Sequence, residues 1–398
     1  MNELTVCINQ MKTLLTLLFS VIILAGQAQK PITTIPFELY GDHIIIKASV
    51  DDSRPLDFIF DSGSGFTVID EDISRELGLS GKKIQMNEPA AVLELIKHNK
   101  LDINHFPMEK NIKIYSTDLD HLEISMGRNI DGIVGYDLLH HHTVRLNYED
   151  QTMDIYDHGK GPKNGDAIPF VLNTSIPVIK GSVVLNNNEA HTANFYVITG
   201  AGTTLDFNSP YAKKYDVIHK TGKHYSYPVK GISKEENLHY EGHVLSASFG
   251  KQTIEDLPIG ISTARSGIQA SENVAGILGN QVLSMYNITF DIPGKMLYFE
   301  KNSNYGKKLA VNCSGIDLQL SPDKEKLLVH QVFEDSPADE AGIKLNDELV
   351  SINNTPAAEL ALPDIKEMLR QEGQTVKLVL KDNGQEKLVS IKLKSLLE

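Results

Sequence analysis

The hydrophobic positions along the chain predict a fold built mainly of β-strands. Short apolar runs rich in β-branched and aromatic residues, such as residues 56–60 and 194–198, each lead into a turn that contains glycine. The 3.6-residue spacing of an amphipathic helix is rare before residue 300. In that part of the chain it predicts two short helices, at 71–77 and 136–140. We therefore expect a mainly β architecture with few helices in this part of the chain.

The same succession of segments occurs twice between residues 35 and 299. Four pairs of segments align in the same order: 35–39 with 168–172, 46–50 with 179–183, 60–65 with 197–202, and 132–135 with 276–279. Four matches in one order indicate a duplicated unit of roughly 130 residues. The stretch 157–165, rich in glycine, lysine and asparagine, is predicted to link the two copies.

Residues 309–398 have a different pattern. A strand-like run at 327–332 is followed by apolar residues at helical spacing between 362 and 369, and then by alternating strands at 375–381 and 388–394. This order predicts a small α+β module, joined to the second copy through the polar stretch 301–308. The predicted organisation is a leader at 1–28, the first copy at 29–160, the second copy at 161–308 and the module at 309–398. At this length we expect two or three separately cored domains, and not one continuous core.

The first 28 residues have the pattern of a secretory signal. Lys12 precedes an apolar run at 14–25, which is followed by small residues at 26 and 28. Because the run is shorter than the roughly 20 residues of a membrane-spanning helix, cleavage after Ala28 is favoured over a membrane span, and also over a buried N-terminal helix. Cys313 is then the one cysteine of the mature chain, which excludes an internal disulfide. We expect export to the periplasm or cell surface of a bacterium.

Charge and composition argue against several classes of ligand. The net charge of −14 repels phosphate backbones, and tryptophan is absent, so we expect no nucleic-acid partner. The run His140, His141 and His142 does not predict a metal site, because adjacent residues of a short helix point in different directions. The sequence therefore predicts neither a metal nor another cofactor.

The motif Asp61-Ser62-Gly63 is the strongest candidate for chemistry. Its aspartate follows an apolar strand in a tight glycine turn, where partial loss of solvent moves a carboxyl pKa towards the range useful for acid–base catalysis. The alternative is a turn aspartate that only binds its own backbone. The strand that follows at 67–69, and the Gly-x-x-Gly segment found in both copies, favour a functional site.

These motifs carry a resemblance to known families. Residues 30–301 resemble the retropepsin- and pepsin-like aspartic proteases, which have Asp-Thr/Ser-Gly-Ala/Ser in each of two β-rich lobes. Residues 309–398 resemble a bacterial-type PDZ domain through Ser336-Pro337-Ala338, Ala341-Gly342-Ile343 and Asp347. The whole resembles a two-lobe aspartyl protease with a C-terminal PDZ domain, of a kind seen in Bacteroidetes-like bacteria. The resemblance implies duplicated aspartic-protease-like β-barrel lobes that form a pseudodimer within a monomer, with peptide or protein substrates.

In these families two carboxylates hold the attacking water between them. Asp61 matches one of the two, but the partner position is Ile198, which cannot accept a proton. The other residues of the two turns are retained and are expected to support the active-site loops: Ser62, Gly63, Thr199 and Gly200. The hydroxyls of Ser62 and Thr199 are expected to brace the two loops against each other.

Three hypotheses follow. The first is an aspartic-type endopeptidase in which Asp61 acts alone or with a carboxylate from elsewhere in the chain; Asp206 is expected to face away. The second is a pseudoprotease, a periplasmic peptide-binding or scaffold protein, because of Ile198. The third has Asp61 pair with Asp61 of a second chain, and it ranks last because the second copy already occupies that place. The first is favoured.

The resemblance also predicts loops and grooves that bind peptides. Hairpins at 84–95 and 223–231 are candidates to cover the cleft, with plain surface loops as the alternative. The PDZ groove is expected between a strand and the helix at 363–370. Its carboxylate-binding loop is predicted at four residues: Gly315, Ile316, Asp317 and Leu318. The charge of Asp317 is expected to weaken capture of a chain terminus.

Overall fold

A computed structural model describes residues 29–85, 92–108, 112–230 and 236–397, and these form a mainly β protein. The predicted signal at 1–28 lies outside the described residues. Every helix among the described residues lacks the length or the apolar character that spanning a bilayer requires.

The first half of the mainly β region extends to residue 156. Its strands are β1 (Thr33–Pro36), β2 (Glu38–Tyr40), β3 (His43–Val50), β4 (Leu56–Phe60), β5 (Thr67–Asp70), β6 (Lys82–Gln85), β7 (Val92–Asn99), β8 (Leu101–Ile103), β9 (Phe106–Pro107), β10 (Ile112–Thr117), β11 (Gly132–Val134), β12 (Thr143–Asn147) and β13 (Thr152–Tyr156). Its helices are α1 (Glu71–Glu76), α2 (Asp120–Met126) and α3 (Tyr136–His141). The two helices predicted in this half, at 71–77 and 136–140, correspond to α1 and α3, whereas α2 was not predicted.

The second half follows after an irregular link at 157–165. Its strands are β14 (Asp166–Asn173), β15 (Ile176–Val184), β16 (Ala190–Val197), β17 (Leu205–Phe207), β18 (Tyr225–Lys230), β19 (Glu236–Phe249), β20 (Gln252–Ser262), β21 (Gly276–Leu278), β22 (Tyr286–Asp291) and β23 (Met296–Lys301). Its helices are α4 (Ser209–Tyr215), α5 (Val217–Lys220) and α6 (Asn280–Leu283), with a 3-10 turn at Ile268–Ala270.

The C-terminal module has its own sheet and helices. Its elements are β24 (Ile316–Leu320), β25 (Leu327–Val332), α7 (Pro337–Glu340), β26 (Glu348–Ile352), β27 (Thr355–Pro356), a 3-10 turn (Ala357–Glu359), α8 (Leu362–Met368), β28 (Thr375–Asp382) and β29 (Gln385–Lys392). The sheet runs in the order β24-β25-β26-β28-β29, so β24 lies at an edge. The module packs around a separate apolar cluster that includes Leu318, Val329, Ile365 and Leu378. Its Cys313 is buried.

The two halves use the same strand arrangement around their central turns. In the first half β11 lies between β4, to which it is parallel, and β5, to which it is antiparallel. In the second half β21 lies in the same way between β16 and β17. Asp61 follows β4 and Ile198 follows β16, so corresponding turns leave corresponding strands.

The two halves share one sheet and one core. Strands β12 and β22 pair antiparallel, with Val144 opposite Phe290, and join the halves through the order β1-β13-β12-β22-β23-β14. One cluster of buried apolar residues extends from Ile35 to Phe299. Pairing of β12 with β22 merges the apolar faces of the two copies, so they share one main core, whereas the C-terminal module has its own.

Candidate active site

Asp61 is held at the junction of the two central turns. The strand before it is fully buried at Phe58 and Phe60, and the Asp61 N–H donates to the Val134 carbonyl at 2.8 Å. Its Oδ1 accepts hydrogen bonds from the N–H of Gly63 at 2.7 Å and of Gly200 at 3.0 Å. Both donors bind the same oxygen, so Oδ2 has no hydrogen-bond partner in the described part of the chain. The carboxylate is thus oriented by both halves while one oxygen stays available.

Burial raises the pKa of the half-buried Asp61, and the hydrogen bonds from Gly63 and Gly200 oppose this increase only in part. Asp61 therefore retains its proton to a higher pH than a solvated aspartate does. Close packing also restricts position 200 to glycine. A Cβ atom built on Gly200 would lie 2.3 Å from Cγ of Asp61, so any larger residue at 200 displaces the carboxylate.

Ser62 and Thr199 brace the two turns with four hydrogen bonds. The Ser62 N–H donates to Thr199 Oγ1 at 2.9 Å, and the Thr199 N–H donates to Ser62 Oγ at 3.0 Å. Each hydroxyl then donates to a carbonyl of the opposite strand: Ser62 Oγ to Val197 at 2.8 Å and Thr199 Oγ1 to Phe60 at 3.1 Å. Since both side chains are fully buried, this arrangement couples the halves at Asp61.

Ile198 occupies the position that faces Asp61. A Cβ atom built on Gly63 would lie 2.8 Å from Ile198 Cγ2 and 3.1 Å from Asp61 Oδ1, so both side chains adjoin the same point. Ile198 packs in a small apolar cluster with Val178 and Tyr196. Within the described residues no Asp or Glu side chain bonds to Asp61. The site therefore has one carboxylate where the resembled families have two.

Asp206 lies in a different place, as expected. Its buried side chain is 3.4 Å from Gln269 Nε2 and 3.9 Å from His239 Nε2. It lines a cavity of about 230 Å³ between the second half and the C-terminal module, and Asp61 is not part of that lining. Burial raises the pKa of Asp206 to about 7. Asp206 therefore belongs to a second polar cluster and does not complete a pair with Asp61.

Sequence reasoning missed His43, the first residue of β3. A Cβ atom built on Gly202 would lie 2.9 Å from its Nε2, so the ring packs against the turn that carries Gly200. Burial lowers the pKa of His43 to about 4, although a hydrogen bond with the Gly200 backbone acts to raise it. The ring is therefore neutral above that pH. In the sequence, a polar residue at the start of a strand is typical of an exposed turn. No neighbouring residue indicated that His43 packs on a turn of the other half.

Both regions proposed to cover the cleft form hairpins. Strand β6 pairs with β7, and β18 pairs with β19. The tips of both hairpins, including Gly231, lie outside the described residues. In the second hairpin Tyr225 and Tyr227 donate their hydroxyls to Glu241, the latter at 2.8 Å. Phe333 of the C-terminal module packs on both tyrosine rings, with centroid distances of 4.7 and 5.8 Å. This hairpin thus contacts the module.

The predicted carboxylate-binding loop leads into β24. Ile316 and Leu318 are buried in the module's core, whereas Asp317 lies 3.3 Å from Lys366 Nζ on α8 and 3.4 Å from His330 Nδ1 on β25. Burial acts to raise the pKa of Asp317, but the attraction of Lys366 and His330 is stronger, so the pKa is lowered overall. The charge of Asp317 is therefore compensated by neighbours within the module.

Comparison with known proteins identifies this module. Residues 307–381 match the PDZ domain family. The C-terminal module is a PDZ domain. The prediction made from Ser336-Pro337-Ala338 and the motifs that follow it is thus confirmed.

Two further similarities concern larger parts of the chain. The chain is 20% identical over 168 residues to a protein of Staphylococcus haemolyticus (strain JCSC1435) described as "Probable CtpA-like serine protease". The matched region is 42% of this chain and 31% of that relative, so the chain spans less than a third of the relative's length. Among solved structures, the aspartic proteinase from Irpex lacteus aligns with a TM-score of 0.44 at 12% identity, covering 69% of this chain and 98% of that one.

Proposed function

We propose that the chain is an exported aspartic-type endopeptidase in which Asp61 activates water, and that its PDZ domain binds peptide segments. The observation that carries this proposal is the environment of Asp61. Its carboxylate is fixed by N–H groups of both halves on one oxygen, while the other oxygen has no partner among the described residues. Burial raises its pKa, which is typical of a carboxylate used in proton transfer.

The chemistry follows from the available oxygen. A water bound to Oδ2 of ionised Asp61 loses a proton to the carboxylate while its oxygen forms a bond to the scissile carbonyl carbon. The C–N bond of the resulting tetrahedral intermediate then breaks, and the proton passes from Asp61 to the leaving nitrogen. No covalent bond forms between the substrate and the chain, so the mechanism needs no nucleophilic side chain.

The two halves are proposed to be aspartic-protease-like lobes, at 29–160 and 161–308, that form a pseudodimer in a monomeric chain. Support comes from the equivalent positions of β11 and β21 and from the reciprocal bonds of Ser62 and Thr199. Export to the periplasm or cell surface is proposed from the signal pattern before residue 29. PDZ domains bind peptides by adding a strand to an edge, and β24 is such an edge strand.

Ile198 limits the rate that this site can reach. In a paired site the second carboxyl shares a proton and polarises the scissile carbonyl, a contribution that a branched alkyl group cannot make. General acid–base catalysis by one group contributes about 10²–10⁴-fold, so Asp61 alone supports a slow peptidase.

The same residue favours a second candidate function. A cleft that keeps its braced turns but lacks one carboxylate is suited to binding peptides without cleaving them. In that case the chain is a pseudoprotease that acts as a periplasmic peptide-binding or scaffold protein, with the cleft and the PDZ groove as its two binding sites. Tight binding of peptides that stay intact distinguishes this function from slow hydrolysis.

Degradation of fluorescein-labelled casein by the wild-type chain and by Asp61→Asn tests the proposal. The expected result is slow release of fluorescein by the wild type and none by the variant. A fluorophosphonate, which reacts with the activated serine of serine peptidases, should neither label nor inhibit the protein. Loss of activity on labelling of a serine would replace the aspartic mechanism with the type named for the staphylococcal relative.

A further inference from the structure

Helix α8 of the PDZ domain packs against the half that carries Asp61. A Cβ atom built on Gly41 would lie 3.4 Å from Cγ of Pro363, and one built on Gly127, the residue after α2, would lie 2.6 Å from Cβ of Leu362. Farther along, Lys366 and Arg370 lie close enough to interact electrostatically with Asp42. The helix therefore lies along the turn that precedes β3, whose first residue His43 packs on the turn that contains Gly200.

Helix α2 lies across one end of the PDZ groove. It packs against β24, the edge strand to which a peptide adds. Its end meets Leu362 at the start of α8, and its first turn binds Lys324 in the loop after β24. There Lys324 pairs with Asp120 at 2.6 Å and with the buried Glu123. Strand β24 and helix α8 form the two walls of the groove. A bound peptide strand that extends past this end of the groove would therefore collide with α2.

The other end of the groove also faces the catalytic halves. Ile316, Asp317 and Arg370 line the cavity of about 230 Å³ whose opposite wall carries Tyr225 and Tyr227. Phe333 packs on both tyrosines and completes the contact. The groove is therefore enclosed at both ends by the rest of the chain, and the same contacts hold α8 beside the turn that precedes β3.

We propose that the docked PDZ domain is held by an intramolecular cap on its own groove. Helix α2 covers one end of the groove between β24 and α8, and a peptide competes with α2 for that groove. A peptide that adds to β24 displaces α2, and the domain then leaves the turn beside His43. Peptide capture and undocking of the PDZ domain are thereby one equilibrium, because a ligand that binds only the undocked state shifts the population towards it. The competition is a property of the PDZ groove, and only its effect on hydrolysis rests on the proposed function.

A disulfide lock tests the competition directly. In Gly41→Cys/Pro363→Cys the two Cβ positions are 3.5 Å apart, within the range for a disulfide. The probe is a pool of fluorescein-labelled decapeptides of random sequence with free carboxyl ends. We expect the oxidised chain to retain at least about tenfold less peptide than the same chain after reduction, within the usual range of coupling between sites. The wild-type chain under both redox conditions is the control. Equal retention, or no retention by any form, overturns the proposal.

A charge reversal gives a second test without peptide or hydrolysis. Lys324→Glu places a carboxylate beside Asp120 and Glu123, and the repulsion should release α2 from β24. The backbone N–H groups of β24, residues 316–320, should then exchange with deuterium at least about fivefold faster. Asp120→Lys/Lys324→Glu restores the opposite charges and should restore slow exchange. Wild-type exchange in Lys324→Glu overturns docking through α2. If casein is not degraded by any variant while both tests succeed, the proposed enzyme is wrong and the cap remains.

Discussion

Ser62 and Thr199 lie 137 positions apart and exchange hydrogen bonds across the seam between the two halves. Each N–H donates to the other hydroxyl, and each hydroxyl donates to a carbonyl of the opposite strand. The bonds fix the distance between Asp61 and the Gly200 N–H. The geometry of the candidate site is therefore set by two buried hydroxyls that take no part in the proposed chemistry.

Thr199→Val should destabilise the chain by about 2–6 kcal/mol. The substitution keeps the shape but leaves the Ser62 N–H and the Phe60 carbonyl buried without a partner, and each such group costs about 1–3 kcal/mol. Urea denaturation measures the loss, with Thr192→Val on the exposed side of β16 as the control. Equal stability of the two variants contradicts the brace.

Ile198→Asp should raise peptidase activity. The new carboxyl adjoins the point above Gly63 that Asp61 also borders, so it can share a proton with Asp61 and polarise the scissile carbonyl. We expect kcat/KM to increase by about 10²-fold, the lower end for one acid–base group. Ile198→Asn is the matched control because it has the same shape without the acid. If the two variants have equal activity, Ile198 does not occupy the place of a catalytic carboxyl.

The pH dependence of activity should differ between these proteins. Ionised Asp61 is the proposed base, and burial raises its pKa, so kcat/KM of the wild type should rise with pH through that pKa and then level off. In Ile198→Asp two coupled carboxyls should give a bell-shaped profile. Initial rates from about pH 3 to 8 measure both curves. A bell-shaped pH profile of kcat/KM for the wild type, with both of its limbs in the acidic range, would reveal a second carboxyl at the site.

Asp206→Asn should stabilise the folded chain near neutral pH. The pKa of Asp206 rises from 3.8 to about 7 on folding, so between these values the folded state binds more protons than the unfolded state. The stability that this carboxyl contributes is complete below pH 3.8 and is lost as the pH rises towards 7. The free energy of unfolding of Asp206→Asn, relative to wild type, should therefore increase across this window. Exposed Asp256→Asn is the control. A difference that does not change with pH contradicts burial of this carboxyl.

The sequence was informative where chemistry depends on local pattern. The apolar strand and glycine turn predicted that Asp61 directly follows a strand, as it does after β4, and the repeat aligned Ile198 with it, so the lack of a carboxylate at that position could be predicted from the sequence. The PDZ fold was also predictable, because its turn motifs sit between strands of clear alternation.

What the sequence did not reveal depends on contacts between distant residues. Helix α2 has seven residues, too few for a periodic signal, and its partner Lys324 is 204 positions away from Asp120. His43 is half-buried against a turn of the other half, and the two copies share a core only because β12 pairs with β22. Each of these features arises from packing between units that the sequence shows separately.

Cleavage of a peptide library by wild type and Asp61→Asn from about pH 3 to 8, read by mass spectrometry, tests the central claim most directly. The account predicts cleavage by the wild type and by the control Asp256→Asn, and a loss of about 10²–10⁴-fold in Asp61→Asn. Equal cleavage by Asp61→Asn, or no cleavage by any of the three proteins, would contradict an aspartic peptidase built on Asp61.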